Sequence, residues 1–335
     1  MKRHLGGRSG WLPNLADRPA PPDAAAIRGA RAWLDAKLTG GDAPVWILPC
    51  RSLRRKNMAE ALLLTRWLRP EAWLVITGAA SSRDEEPYVR SLEAAAHRHH
   101  WRVRFGVLAV NEPRKPSVPE LLAASEAVLL TSIQEGFGLP YLEAVAAGRP
   151  LIARRLPNVS PDLHRFGFRF AQAYDEVFVS PPLFDWKRER ARQENLFGAW
   201  LRQLPAPAGA WPAGPRCSRP PDRGPVPFSR LTLTAQLEVL SHPVRESRSM
   251  GLLLNPHLES WRHRAATGRL EVASWPRTAD HWLGGVAYGR RFWQIVATGS
   301  RSRCRSIPGQ RIQNDFIRNS LGDDHLFPLL WNTTT

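Results

Sequence analysis

Two glutamates, Glu135 and Glu143, bracket the stretch EGFGLPYLE and stand eight positions apart. Gly136, Phe137, Gly138, Leu139 and Pro140 directly follow the first. Glycine lets a backbone approach a ligand closely, and proline suits the first turn of a helix. The spacing predicts a turn feeding a helix, with Glu135 before its start and Glu143 on its first turns. A helix N-terminus presents unpaired amides and a partial positive charge, which favour phosphate. A carboxylate at Glu135 is badly placed for phosphate but well placed to accept hydrogen bonds from sugar hydroxyls. Glu143 suits the hydroxyls of a ribose in the same way. A second cluster, CRSLRRKN at 50–57, supplies cations where a diphosphate would lie. Arg51 offers a fork of donors and Lys56 a point charge near a helix start. The plainer alternative makes the glutamates solvent-facing carboxylates at a helix start, and Arg51 and Lys56 part of a solvated basic turn with Arg54 and Arg55.

The surrounding text predicts what positions these groups. A short helix is expected at 23–38. From 44 onward, apolar runs suited to buried strands alternate with helically spaced segments. The strands are expected at 43–50, 72–80, 101–108, 127–132 and 150–154. The helices are expected at 56–70, 87–100, at the start of 119–132, at 140–148 and at 187–204. This alternation predicts an α/β fold, a doubly wound parallel sheet built from βαβ units. Ligands of such sheets sit beyond the carboxyl ends of the strands, where both clusters fall.

Around this unit the composition shifts. Residues 1–43 form an N-terminal extension rich in Pro, Gly and Ala, and 44–204 the Rossmann-like domain. Residues 205–227 hold eight prolines and three glycines and read as a linker. The C-terminal region, 228–335, has no role legible in its sequence. Its Trp261, Trp275, Trp282, Trp293 and Trp331 are expected to pack a small core.

The apolar fraction of 43% permits a sizeable core, and no apolar run is long enough for a membrane span. Cys50, Cys217 and Cys304 are too few and too scattered for a disulfide framework or a metal cluster. His97, His99 and His100 face different directions on a helix and lack carboxylate partners, and Asp323, Asp324 and His325 read as a surface turn. The N-terminus lacks the apolar core of a secretory signal, so a cytoplasmic protein is expected, with peripheral membrane association left open. The net charge is +17, yet only five of the 47 cations are lysine. No recognised nucleic-acid motif accompanies the charge, so nucleic acid is not an expected partner.

The run from Glu135 to Glu143, followed by AVAAGRPLIA, resembles the donor-site signature of group 1 glycosyltransferases, retaining enzymes of GT-B architecture. Arg51 and Lys56-Asn57 match the phosphate-contacting pair of that family, and LVITGAA fits the strand that follows. The resemblance covers about 44–200 and implies one Rossmann-like half of a GT-B fold, the donor-binding half. It implies transfer of a sugar from a nucleotide-diphosphate donor to an unknown sugar, lipid or protein acceptor, with retention and with neither metal nor other cofactor. It makes Glu135 the catalytic candidate, in contact with the donor sugar. The elbow of Gly136, Phe137, Gly138 and Leu139 would meet sugar or diphosphate through its backbone. Glu143 would bind the ribose, and Arg51 and Lys56 would neutralise the leaving diphosphate. The loop around Gly106 and Val107 resembles the segment that meets the base.

The sequence departs from that pattern in three ways. Cys50 stands where the family usually has glycine. Only about 43 residues precede the domain, where the family carries an acceptor-binding half. The histidine contributed from that half has no counterpart, and His4 is no credible substitute. A second reading is therefore a truncated or divergent nucleotide-sugar-binding module without transferase activity of its own, acting beside a partner that supplies the acceptor half.

Overall fold

The computed structural model describes residues 11–38, 41–204, 208–210, 212, 214–219, 224–299, 309–322 and 325–331. His4, Cys304, Asp323 and Asp324 lie outside them. Helix α1 (Ala24–Lys37) is followed by strand β1 (Val45–Leu48), then α2 (Met58–Leu68), β2 (Trp73–Ile76), α3 (Glu86–Arg98) and β3 (Val103–Arg104). The second half runs α4 (Val118–Ala124), β4 (Ala127–Leu130), α5 (Leu139–Ala146), β5 (Leu151–Arg154), α6 (Ser160–Arg165) and β6 (Gln172–Tyr174). All six strands are parallel and lie in the order β3-β2-β1-β4-β5-β6. This is a doubly wound sheet whose order reverses between β1 and β4.

The short apolar runs form strands because both faces of the sheet are covered. Along β1, Trp46 and Leu48 enter one core, while Val45 and Ile47 enter the other. The first core lies under α2 and α3; the second lies under α1, α4, α5 and α6. The third strand is shorter than the expected 101–108. Gly106 turns at a φ of 60°, and the amides of Val107 and Leu108 return to the carbonyls of Ile76 and Thr77 at 3.2 and 2.9 Å. Strand β6 carries no long apolar run, and the sequence reading does not foresee it.

Beyond the sheet come β7 (Phe178–Val179), α7 (Trp186–Leu201), β8 (Val226–Pro227), α8 (Leu233–Ser241), α9 (Val244–Leu254) and α10 (His257–Ala266). Strands β7 and β8 pair antiparallel, which draws the chain back from the proline-rich stretch onto the domain. Helices α8, α9 and α10 then pack on α2, so that Phe228, Leu231, Val239, Leu258 and Trp261 complete the first core. Trp67 donates to Ser247 Oγ at 3.2 Å, and Asn255 exchanges hydrogen bonds with the backbone of Phe178 at 2.7 and 2.9 Å. Three more helices follow: α11 (Arg277–Leu283), α12 (Gly285–Gly299) and α13 (Gly309–Ser320).

The tail tryptophans do not form one small core. Trp261 belongs to the first core, whereas Trp275 and Trp282 pack against the second. Trp331 joins Phe197 and Trp200 on α7, and Trp293 is 68% exposed. The reason is the path of the chain, which wraps the finished sheet and fills gaps on both faces. Among the described residues no helix is long and apolar enough to cross a membrane.

Gly251 makes the wrap sensitive to a single methyl, because a Cβ there would lie 2.2 Å from the Trp67 ring. Overpacking of this kind costs about 1–3 kcal/mol. Gly251→Ala is expected to lower the denaturation midpoint accordingly. Gly289→Ala, on α12 with nothing within 4 Å of the new methyl, is expected to leave it unchanged or raise it slightly.

Candidate functional site

Where the strand order reverses, the loops leaving β1 and β4 come together at the carboxyl edge of the sheet and line one wall of a crevice. The first loop is strapped to the loop after β2. The Cys50 carbonyl accepts from Gly78 N at 2.8 Å and from Thr77 Oγ1 at 3.3 Å, while Ser52 Oγ donates to the Gly78 carbonyl at 2.7 Å. Any side chain at Gly78 would meet Arg51 Cα and the Cys50 oxygen at 2.9 Å, so the strap requires glycine. Cys50 fits here as a buried apolar residue, and burial pushes its thiol up to about 12. Arg51 is exposed, with no ion-pair partner among the described residues. The loop then turns through Arg54–Lys56 to Asn57, which holds a left-handed conformation at φ 48°.

The second loop is stitched to the first. Thr131 Oγ1 donates to the carbonyls of Lys56 and Asn57 at 2.9 and 3.1 Å, and Ile133 N donates to the Arg55 carbonyl at 2.8 Å. Arg55 reaches the Gln134 carbonyl at 2.8 Å and Glu135 Oε2 at 3.1 Å. Lys56 is buried, and its ammonium pairs with Glu135 Oε1. Ser132 Oγ donates to the same oxygen at 2.7 Å, and Asn158 holds the Glu135 carbonyl at 2.6 Å. Burial pushes the Glu135 carboxyl up, but Lys56, Ser132 and Arg55 together outweigh it and hold the group below the usual carboxylate range.

Beneath the loops lies a buried charge network. Asn57 Nδ2 donates to Glu60 Oε2 at 2.9 Å, and Arg154 Nη2 donates to both carboxylate oxygens of Glu60 at 2.5 and 2.6 Å. Tyr174 donates to Glu60 Oε1 at 2.6 Å. The other terminal nitrogen of Arg154 reaches Glu176 Oε2 at 2.5 Å, which also accepts from Ser229 Oγ at 2.6 Å. Gln236 Nε2 on α8 donates to Asn57 Oδ1 at 3.3 Å.

The elbow ends in Gly138 at φ 85°, and a Cβ there would lie 2.7 Å from Val159 Cγ1. Gly136 has nothing within 4 Å of its Cβ position. Helix α5 starts without a side-chain cap. Among the described residues the amides of Gly136, Phe137, Gly138 and Leu139 donate to no partner. Phe137 packs against the second core, and Leu139 is 45% exposed. Glu143 sits on the second turn, half-buried; burial pushes its carboxyl up, and the charge of Lys56 pulls partly against that.

Thus Lys56 and Glu135 meet directly, and Glu143 lies within the electrostatic reach of Lys56. Arg51 stands apart at the strap, and no contact joins it to either glutamate. The sequence assigns Lys56 to a diphosphate, whereas here its ammonium is spent on Glu135. The partners Arg55, Ser132 and Asn158 escape a reading of the sequence. Arg55 and Ser132 were within sight as close neighbours of Lys56 and Glu135, but Asn158 carries no local signal. A cleft of about 700 Å³ opens beside Glu135 and Gly136 on the β5–β6 side, bounded by Arg155, Asn158, Phe316 and Phe327. Among the described residues no group of three or more His, Cys, Asp or Glu could hold a metal ion.

Residues 35–165, which contain both loops, match the family described as Glycosyl transferases group 1. The chain is 30% identical over 135 residues to mannosylglucosyl-3-phosphoglycerate synthase of Petrotoga mobilis, covering 40% of this chain and 25% of that protein. It is 33% identical over 135 residues to D-inositol 3-phosphate glycosyltransferase of Xylanimonas cellulosilytica, covering 40% and 31%. The chain therefore spans between a quarter and a third of the length of these relatives. Among solved structures, the C-terminal domain of the group 1 glycosyl transferase LpcC from Francisella tularensis is 24% identical, with a TM-score of 0.34 and coverage of 43% of this chain and 71% of that one. Anabaena HepE, solved with UDP-glucose, is 16% identical, with a TM-score of 0.44 and coverage of 84% and 54%.

Two outcomes test the electrostatics of this loop junction. Breaking a buried pair by removing one partner costs about 3–5 kcal/mol, so Lys56→Met should destabilise strongly, and Lys56→Met with Glu135→Gln should recover most of the loss on denaturant unfolding. The depressed Glu135 carboxyl stabilises the fold above the ordinary carboxylate range, and that stabilisation fades as pH falls through its lowered value. Glu143 has the opposite sign: its raised carboxyl favours the fold only when protonated. Glu143→Gln should therefore match or exceed the parent in thermal midpoint at pH 7, with the gain vanishing in acid.

Proposed function

We propose that the crevice between the β1 and β4 loops binds a nucleotide-diphosphate sugar and that the segment transfers the sugar to an acceptor hydroxyl with retention. The observation that carries this reading is the pairing of a charged, cross-stitched loop junction with an uncapped α5 N-terminus, where four backbone amides are open. The diphosphate lies at those amides, helped by Arg51, and Glu143 accepts from the ribose hydroxyls. Lys56 exchanges part of its pairing with Glu135 for the departing phosphate, which frees Glu135 to accept from the donor sugar. The bond from the anomeric carbon to the diphosphate oxygen breaks, and its electron pair leaves with the diphosphate. The acceptor oxygen forms the new bond on the same face, and its proton passes to the departing phosphate. Preorganised amides and cations stabilise the charge that develops, so the reading needs neither a metal nor another cofactor.

A second reading, a nucleotide-sugar-binding module without transfer, is favoured by one observation. Both carboxylate oxygens of Glu135 are already engaged, by Lys56, Arg55 and Ser132. On this reading a partner protein supplies the acceptor half.

Titration calorimetry with UDP, GDP and ADP tests the site. One nucleotide is expected to bind with a Kd of about 1 mM or tighter, with Glu143→Ala and the pair Arg51→Ala, Lys56→Ala each weakening it about tenfold. Slow release of nucleotide diphosphate from the matching sugar donor supports transfer; binding without release supports the module. If the folded chain binds none of the three, the donor-site reading fails.

A further inference from the structure

Helix α12 carries a face that nothing in the fold explains. Its inner side is held to α11 by Arg291, whose guanidinium lies 4.0 Å from the Trp282 ring centroid and donates to the carbonyls of His281 and Trp282 at 3.0 and 3.1 Å. The root of the helix is pinned by Asp17, which accepts from Gly285 N at 3.0 Å, and by the Leu283 carbonyl, which accepts from Ala16 N at 3.0 Å. The outer side is apolar: Val286 is 80% exposed, Trp293 68%, Val296 44% and Phe292 43%. Leu15, itself half exposed, lies beside Gly285 and extends the patch. Side chains this large ordinarily cluster on a surface only where something covers them.

Charge says what covers them. From His281 to Asn314 the sequence has no Asp or Glu and six arginines: Arg290, Arg291, Arg301, Arg303, Arg305 and Arg311. Arg290 is exposed on the apolar face itself, and Arg301, Arg303 and Arg305 follow the helix in sequence, outside the described residues. The whole chain carries +17, so a second copy would meet this face with like charge. A complementary surface must be anionic and must also accept aliphatic side chains. Valines offer no ring for a base to stack on, but hydrocarbon takes them, and tryptophan favours the interface between hydrocarbon and water.

We infer that α12 docks the protein on an anionic lipid bilayer. The helix lies in the plane of the headgroups, with Val286, Phe292, Trp293 and Val296 entering the hydrocarbon boundary. Arg290, exposed on the same face, meets the lipid phosphates. The inference is independent of the donor-site reading, because no residue of α12 lines the crevice.

Co-sedimentation of the full chain with vesicles tests it. Binding is expected to phosphatidylcholine vesicles containing about one-third phosphatidylglycerol, weakly or not at all to phosphatidylcholine alone. Because a chain this basic can adhere to any anionic surface, the deciding variant keeps the charge: Val286→Ser with Trp293→Ser should reduce binding about tenfold or more. Both residues are exposed, so an unchanged circular dichroism spectrum will show the fold intact. Trp293→Phe should retain binding while losing the fluorescence quenching that lipids brominated on their acyl chains cause in the parent. Undiminished binding by the double serine variant would overturn the inference. So would displacement of the parent and the serine variant alike by single-stranded DNA, which would make the adhesion purely electrostatic.

Discussion

The guanidinium of Arg154, sealed between Glu60 and Glu176, is the constraint on which the site depends. A cation so deeply buried is tolerated only when its charge is met, and here two carboxylates and the Asp175 carbonyl at 2.6 Å take its two terminal nitrogens, while Nε has no hydrogen-bond partner among the described residues. The partners come from four parts of the chain: β5 supplies the arginine, α2 Glu60, the turn after β6 Glu176, and the segment after β8 Ser229. Glu60 in turn fixes Asn57, whose left-handed backbone ends the β1 loop and sets where Lys56 points. The position of Lys56 therefore depends on groups that never face the crevice.

This arrangement explains why two surface loops can be so well defined. Loops at sheet edges are ordinarily the mobile part of a fold. Here each is anchored through its backbone: the β1 loop to Gly78 and Thr131, the β4 loop to Arg55 and Asn158. The elbow is the exception, since a side chain at Gly136 would meet nothing within 4 Å and the amides beyond it are open. Anchored walls and an open helix start leave the amide donors already aligned, so their ordering entropy is met by the fold itself.

Much of this was legible in the sequence, for identifiable reasons. Strands covered on both faces read as apolar runs, and the helices between them keep their spacing, so the alternation from Val45 to Arg154 could be read directly. Gly138 was visible as a glycine, although the contact that demands it, with Val159, is not local. What could not be read is what depends on the return of the chain. Strands β7 and β8 are two residues each, and Trp261 looks no different in sequence from Trp293, though one is buried against Tyr174 and the other stands in solvent. The Lys56–Glu135 pair was likewise hidden, because each residue alone suggested a ligand contact and only their proximity shows that they meet each other first.

The closure of the first core by α8, α9 and α10 bears on how the protein comes into being. During synthesis the N-terminal part of a domain emerges first and begins to collapse as it appears. In this chain α2 emerges long before the helices that cover it, and Trp67 must wait for Ser247 and Gly251. Until the ribosome has passed Leu270, one side of the nascent sheet is an uncovered apolar surface, and Asn57 lacks its contact with Gln236. The loops around the crevice thus reach their final support among the last events of folding, when Cys217 and Val226 of the proline-rich stretch and the helices beyond it close the first core.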